Sequence, residues 1–340
     1  MRIASLDGGS AARWEAFVDG CPDATFFHRA GWKQAIERGL DRPCHYLYAE
    51  RGGEICGVLP LVHVKSRLFG NSLISNGFTV GGGIAAVDDA ARAALDARAL
   101  ALAETLDVDY LEYRGGPAHD GWARNDGLYV SFRKPIGPDP EVDMLAIPRK
   151  QRAMVRKGIK AGLESVVDRG VERLHPVYAV SVRNLGTPVF GKRYFEALID
   201  AFGESVDVVT ITHGGEAVAS VMNFYFRDQV LPYYGGGTPA ARPLAANDFM
   251  YWEVMRRAAG RGFRLFDFGR SKVGTGAFSF KKNWGFEPEP MDYEYRLRKI
   301  EALPEINPLN PKYRLFIGAW KRLPLPVANL IGPRIVRSLG

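Results

Sequence analysis

Cysteine is scarce in this 340-residue chain, and the three present, Cys21, Cys44 and Cys56, are odd in number and lack C-x-x-C spacing. A disulfide framework and a cysteine-bound metal site are therefore not expected, and the thiols read as buried free groups. Long apolar runs are missing too. No stretch approaches the roughly 18 apolar residues of a membrane span, and the apolar run within Met1 to Gly9 is too short for a signal peptide, so a cytoplasmic protein is expected. No G-x-S-x-G elbow, H-E-x-x-H pair or phosphate-loop motif occurs, which excludes those routes to a nucleophile or a phosphate cradle. Acids are absent from two places where cations are dense. One holds Arg149, Lys150, Arg152, Arg156, Lys157 and Lys160; the other, after Glu305, holds Lys312, Arg314, Lys321, Arg322, Arg334 and Arg337. The net charge of +7 is concentrated there.

The rest is ordinary soluble-protein composition, 46% hydrophobic and 24% charged, and the length suits two domains. Residues 10 to 40 read as short helices broken around Cys21-Pro22-Asp23. A β-rich block follows: strands from Cys44 and Ile55 joined by a Gly52-Gly53 hairpin turn, then Asn71 to Val80 ending in Gly81-Gly82-Gly83. A helix from Asp88 to Leu106, capped by an aspartate, leads into the strand Asp109 to Gly115.

That order recurs about 155 residues later. Val206 to Thr212, a Gly214-Gly215 turn, Ala217 to Tyr225 and Gln229 to Tyr234 with Gly235-Gly236-Gly237 precede a helix from about Asn247 to Ala259 and a strand Phe263 to Phe268. The period is too long for a solenoid and implies two copies of one α/β (α+β) domain, with Glu112 standing where Asp267 stands. The breaks at Gly115-Gly116-Pro117 and Gly137-Pro138-Asp139-Pro140 place the boundary near residue 140, giving domains 1–140 and 141–300 and a tail 301–340. A strand from Leu128 to Lys134 lies between those breaks. The basic segment from Pro148 reads as a helix with Val155, Ile159 and Leu163 as its apolar stripe.

Only the second copy runs on into a glycine-punctuated loop, Gly269-Arg270-Ser271-Lys272, and the segment Phe280-Lys281-Lys282-Asn283-Trp284-Gly285. Backbone amides freed by glycine, ringed by Arg270, Lys272, Lys281 and Lys282, suit an anionic or carbonyl group; a turn beside solvated lysines is the plain alternative. The acid-free helix likewise lacks i,i+4 ion pairs to relieve its repulsion, which points to an anionic partner: a nucleotide-linked or lipid-linked precursor, or tRNA. Aromatic–basic interleaving is not evident, and DNA is not expected. The Pro-punctuated tail, 307–340, mixes cations with apolar residues. It can dock on its own protein, the favoured reading, or lie on the inner face of the cytoplasmic membrane as a peripheral contact.

Several segments together carry a family resemblance: 27–32, 147–158, 182–190, 233–237, 246–252, 266–272 and 280–285. In them the chain resembles the FemAB family of non-ribosomal aminoacyl and peptidyl transferases, and most closely the FemAB-like proteins associated with PEP-CTERM/exosortase and exopolysaccharide systems. The resemblance implies two tandem GNAT-like acyltransferase domains with mixed, mostly antiparallel sheets flanked by helices. It also implies amide formation from an activated aminoacyl or acyl donor to an amine on a cell-envelope precursor. By position Lys281 would stabilise the oxyanion, as expected of a reaction that needs orientation and positive charge more than a protein nucleophile. Asp267 can hold or deprotonate the amine, although its phenylalanine neighbours suit a structural acid equally well. The matched segments supply an expected substrate-contacting set: His28, Trp32, Arg152, Arg156, Tyr233, Tyr234, Asn247, Arg270, Ser271, Lys282 and Trp284. His28 on local pattern alone reads as an ordinary satisfied histidine.

Two departures stand out. The long helical arm of some Fem proteins is missing from residues 140 to 200, and Ile36 stands where Fem proteins can place a phosphate-gripping lysine. No metal or tightly bound cofactor is expected; the donor is aminoacyl-tRNA or acyl-CoA. An acyl-CoA-dependent GNAT N-acyltransferase is the competing reading, for which Arg242-Pro243-Leu244-Ala245-Ala246-Asn247 keeps the arginine of the pyrophosphate loop and loses its glycine. A non-catalytic scaffold in exopolysaccharide assembly is the third.

Overall fold

The computed structural model describes residues 1–67, 69–303 and 311–340, and their contacts form two units. The first comprises Met1–Gly127, the segment that starts at Met291, and Arg334–Gly340; the second comprises Leu128–Pro290 and the tail segment up to Pro333. The part of the expected tail between 304 and 310 lies outside the described residues.

Each unit is built on an eight-stranded sheet. In the first the spatial order is Arg2–Ser5, Cys44–Arg51, Glu54–Ser66, Gly70–Ser75, Tyr110–Arg114, Tyr293–Leu297 and Ala123–Arg124, with Ala85–Ala86 paired beside Glu54–Ser66. In the second it is Glu164–Asp168, Val206–His213, Glu216–Phe226, Gln229–Gly237, Leu265–Asp267, Tyr129–Pro135 and Ser271–Lys272, with Pro288–Met291 also on Tyr129–Pro135. The fourth and fifth strands of each order pair in parallel, over Ser72–Ile74 with Tyr110–Glu112 and over Gln229–Val230 with Leu265–Phe266. The crossover between them is a helix: Asp89–Thr105 in the first unit, Ala246–Gly260 in the second. These are the mixed, mostly antiparallel sheets flanked by helices of two tandem GNAT-like units.

The repeat extends to turn chemistry. Gly52-Gly53 has φ values of +60° and +89°, and Gly214-Gly215 has +57° and +85°. Both are left-handed pairs that close a two-residue hairpin with the twist of its strands. A register shift follows at Ala49/Glu50 in one hairpin and Ile211/Thr212 in the other. Asp88 caps the first crossover helix as expected, accepting from the Ala91 amide at 2.8 Å.

Two expectations are revised. The first boundary falls at Gly127/Leu128 rather than near 140, because Tyr129–Pro135 pairs with Leu265–Asp267 and Ser271–Lys272. Residues 293–297, expected in the second domain, pair instead with Tyr110–Arg114. In both sheets the fifth strand would otherwise expose an unpaired edge; in the first it is covered by Tyr293–Leu297, which comes from beyond the second copy, and in the second by Tyr129–Pro135, from the stretch between the copies.

The basic helix is Arg149–Lys160, but its buried side is Gln151, Val155 and Gly158; Ile159 is exposed and Leu163 lies beyond the helix. A spacing of four drifts off one face at 3.6 residues per turn. Gly158 is needed for contact: a Cβ there would stand 2.7 Å from Cβ of Phe249 on the crossover helix. Between 140 and 200 no described helix exceeds the 12 residues of Arg149–Lys160 and Leu174–Leu185.

Candidate active site

In the second unit the chain from Leu265 to Lys272 runs alongside Tyr129–Pro135, pairs at both ends, and breaks between. Phe268 still donates to the Phe132 carbonyl at 2.8 Å, and then Gly269, at φ +70°, turns the backbone out of the ladder. Asp267 holds this turn. Its carboxylate accepts from the Gly269 amide at 2.7 Å, the Ser131 hydroxyl at 3.3 Å and Arg133 Nε at 3.0 Å. Buried and with three donors, this carboxylate has the partners of an acid that braces a turn.

The turn presents two carbonyls to Lys281. Its Nζ donates to Gly269 O at 2.8 Å and Arg270 O at 3.1 Å from the helix Gly276–Asn283, capped by Thr275. The same ammonium lies 5.7 Å and 5.6 Å from the ring centroids of Phe132 and Phe268. Burial among these rings brings the Lys281 pKa down to about 7; the Asp267 charge opposes the fall and Arg270 adds to it. Two of the three N–H groups are spent on carbonyls. The third has no protein partner among the described residues.

Arg270 and Lys272 alternate with Ser271 and so share a face, with both cationic heads near the Tyr129 ring at 4.5 Å and 5.4 Å. Burial, with Arg270 adding, lowers the Lys272 pKa to about 8. Ser271 is buried between them, and its hydroxyl lacks a partner among the described residues. Asn247, in the first turn of Ala246–Gly260, likewise has a buried Oδ1 without a partner among the described residues. Tyr233 is half-buried and edge-on to Tyr234 at 4.7 Å. Lys282 is exposed. Arg152 is half-buried and Arg156 exposed, one turn apart on the basic helix, whose six cations have no acidic partner among the described residues.

Four expected contact residues are interior instead. Trp284 is fully buried and donates to Asp248 Oδ1 at 3.0 Å, which Gln151 also reaches at 3.2 Å; the trio ties the basic helix, the crossover helix and the end of Gly276–Asn283 together. Burial raises the Asp248 pKa, against the pull of those two donors. Tyr234 is buried among Tyr178, Phe190, Tyr194 and Phe195, with its hydroxyl 3.0 Å from that of Tyr194. His28 and Trp32 are interior groups of the first unit. The Thr25 amide donates to His28 Nδ1 at 3.0 Å, so Nε2 carries the proton it gives to Gly83 O at 2.8 Å, and the Trp32 indole donates to Phe26 O at 3.1 Å. Ile36 is fully buried as well, which closes that position to a substrate phosphate.

Sequence reasoning missed Tyr129, Ser131, Phe132 and Arg133, which line or brace the site from a strand taken for part of the linker. Their signal was the alternation of Tyr129, Ser131 and Arg133 with Val130, Phe132 and Lys134.

Residues 149–282 match the sequence family described as Acetyltransferase (GNAT) domain. No curated protein matches the chain. Among solved structures the chain is similar to FemX at 16% identity and a TM-score of 0.68, over 93% of this chain and 100% of that one. It is also similar to the C-terminal domain of a putative lysylphosphatidylglycerol synthetase from Agrobacterium fabrum, at 14% identity, TM-score 0.57 and 86% and 92% coverage. A tandem GNAT protein from the clavulanic acid biosynthesis pathway follows at 14% identity, TM-score 0.54 and 89% and 99% coverage. At such identities the likeness defines the fold, a tandem pair of GNAT-like units.

Proposed function

We propose that the chain is a transferase that forms an amide between an activated aminoacyl or acyl donor and an amine on a cell-envelope or exopolysaccharide precursor, with the chemistry on the second unit. The observation that carries this reading is the Lys281 ammonium, fixed on two backbone carbonyls with one N–H to spare. The amine nitrogen attacks the donor carbonyl carbon, a C–N bond forms, and the oxygen takes negative charge. The C–O or C–S bond to the leaving group then breaks, and the proton lost by the amine ends on that group. Lys281 can donate to the oxyanion, and a pKa of about 7 suits a group that gives up a proton near neutrality. Arg270 and Lys272, with the unpaired cations of the basic helix, would hold the anionic portion of donor or acceptor.

A CoA thioester is supported as donor by one backbone feature. Ala245, between the short helix Ala241–Leu244 and the crossover helix, stands at φ +56°, the left-handed conformation that glycine favours. The turn ahead of the helix N-terminus is thus kept although its glycine is lost. Thermal-shift titration with acetyl-CoA, aminoacyl-tRNA and nucleotide sugars separates the readings, followed by mass spectrometry of an amine acceptor incubated with whichever donor stabilises the protein. Stabilisation by one donor and amide product that vanishes with Lys281→Met is expected. No shift with any of them and no product would favour the scaffold reading.

A further inference from the structure

We infer that the two C-terminal helices form a plate that rests on an anionic lipid bilayer. Each helix has one face seated on the second unit. Pro311–Arg322 is held by Trp320, which is buried and donates its indole N–H to Thr187 O at 3.1 Å, and by Ile317 packed on Gly186. Leu325–Val336 is held by Leu325 over Ala179, Val182 and Val189, by buried Ala328, and by Gly332 against Val189.

Each also carries a second apolar stripe that is left exposed among the described residues. On the first it runs Leu315, Ala319, Arg322, with Phe316 beside it; on the second, Val327, Leu330, Arg334. Leu315 is 86% and Leu330 64% exposed, and Leu185, at the end of the helix both pack near, is 69% exposed. Positions i, i+3 or i+4, and i+7 share a helix face, so each exposed stripe ends in an arginine. No acid occurs from 306 to 340, and Lys321, Arg322 and Arg334 have no acidic partner among the described residues.

Apolar residues and unpaired cations on one face define a helix lying in the plane of a membrane interface. The stripe enters the acyl boundary while arginine stems lie along it and their heads meet lipid phosphates. A nucleic acid would satisfy the cations and leave Leu315 and Leu330 in water, so lipid is the occupant that fits both. Twelve residues per helix are too few to span, which needs roughly 20. The tail therefore docks on its own protein and offers its outer face to a membrane. Vesicle binding is read without turnover, so this inference stands or falls separately from the transferase reading.

The test is co-sedimentation of the full chain with phosphatidylcholine vesicles and with vesicles that also contain phosphatidylglycerol. Binding to the second only is expected, abolished in Leu315→Ser/Leu330→Ser and weakened about fivefold for each cation removed in Lys321→Gln/Arg322→Gln. Both variants should melt as the wild type does; if the serine variant fails to fold, the glutamine variant carries the test. Absence of wild-type binding to anionic vesicles, or unchanged binding by the variants that fold, overturns the proposal. So does elution of the wild type as a dimer that Leu330→Ser dissolves, which would make the face a contact between copies.

Discussion

The ends of the two equivalent strands show how one fold can close a site in one copy and open it in the other. In the first unit Glu112 is followed two residues later by Arg114, in the second Asp267 by Gly269. Arg114 turns inward: its Nε donates to Glu112 at 2.7 Å, another guanidinium nitrogen to the Thr79 carbonyl, and its own amide to Ser75 Oγ at 2.8 Å. All five residues of Tyr110–Arg114 are buried, so the strand runs straight and its charges cancel inside. Gly269 offers no side chain to occupy that space. The chain turns, the acid spends itself on the turn, and the released carbonyls collect Lys281. The first copy invests its charge in stability, and the second leaves cations half-covered and poised.

That contrast is open to attack at both ends. The largest effect is expected from Arg114→Met, which leaves Glu112 buried and uncompensated and should cost about 3–5 kcal/mol in urea unfolding. Adding Glu112→Gln should recover part of it, whereas a loss below 1 kcal/mol would mean the pair is solvated. Transfer activity of the surviving folded fraction should be unchanged. Lys281→Met should do the reverse. Removal of one positioned donor costs about 10²–10³ in kcat, with circular dichroism unaltered, and retained activity would take Lys281 out of the chemistry.

Protonation separates the copies further. Lys281 titrates near 7 when folded and near its ordinary value of 10.5 when unfolded. Between those values the unfolded chain binds the extra proton, so this group makes the protein more stable as pH rises through that window, by up to about 1.4 kcal/mol per pH unit. Below pH 7 both states are protonated and the burial penalty is felt in full. The slope of stability against pH from 7 to 9 should therefore be steeper in wild type than in Lys281→Met, while Lys272 contributes equally to both. Equal slopes would mean that the ammonium is better hydrated than its ring contacts imply.

Much of this architecture was legible in the sequence because local chemistry dictates it. Gly-Gly between alternating strands forces a hairpin, Asp88 before an alanine-rich run forces a helix start, and their recurrence gave the tandem units. The partners of two strands were not legible, since Tyr129–Pro135 and Tyr293–Leu297 pair with segments more than a hundred residues away and nothing in their own pattern names the sheet. At the site, local pattern put Arg270, Lys272, Lys281 and Lys282 around one loop, and the resemblance added Ser271 and the role expected of Lys281. It could not tell which aromatic side chains of a matched segment point inward. Trp284 sits at the end of its helix with Gly285 at φ +79°, and its indole has a buried carboxylate to satisfy, a fact visible only once Asp248 is beside it.

A milder probe is Asp267→Asn, which keeps an acceptor for the Gly269 amide while removing the charge that favours the Lys281 ammonium. If Asp267 acts only by positioning, kcat at pH 6 should change little and the alkaline limb of the pH–rate profile should move to lower pH. A collapse of kcat at every pH would instead make Asp267 a base.

The smallest expected effect tests what the glycine is for. A Cβ at Gly269 would have no atom within 4 Å, so space is not at issue; φ +70° is, and the left-handed region costs an L-residue roughly 1 kcal/mol. Gly269→Ala should lower stability by about that amount and shift the Lys281 profile, because its carbonyl partners move with the turn. Gly276→Ala is the control. It too has open space around it, but it sits at the first position of a helix with ordinary φ, where alanine should leave the melting temperature unchanged or slightly raised. Equal behaviour of the two would mean that the turn, and with it the difference between Gly269 and Arg114, is not what separates the copies.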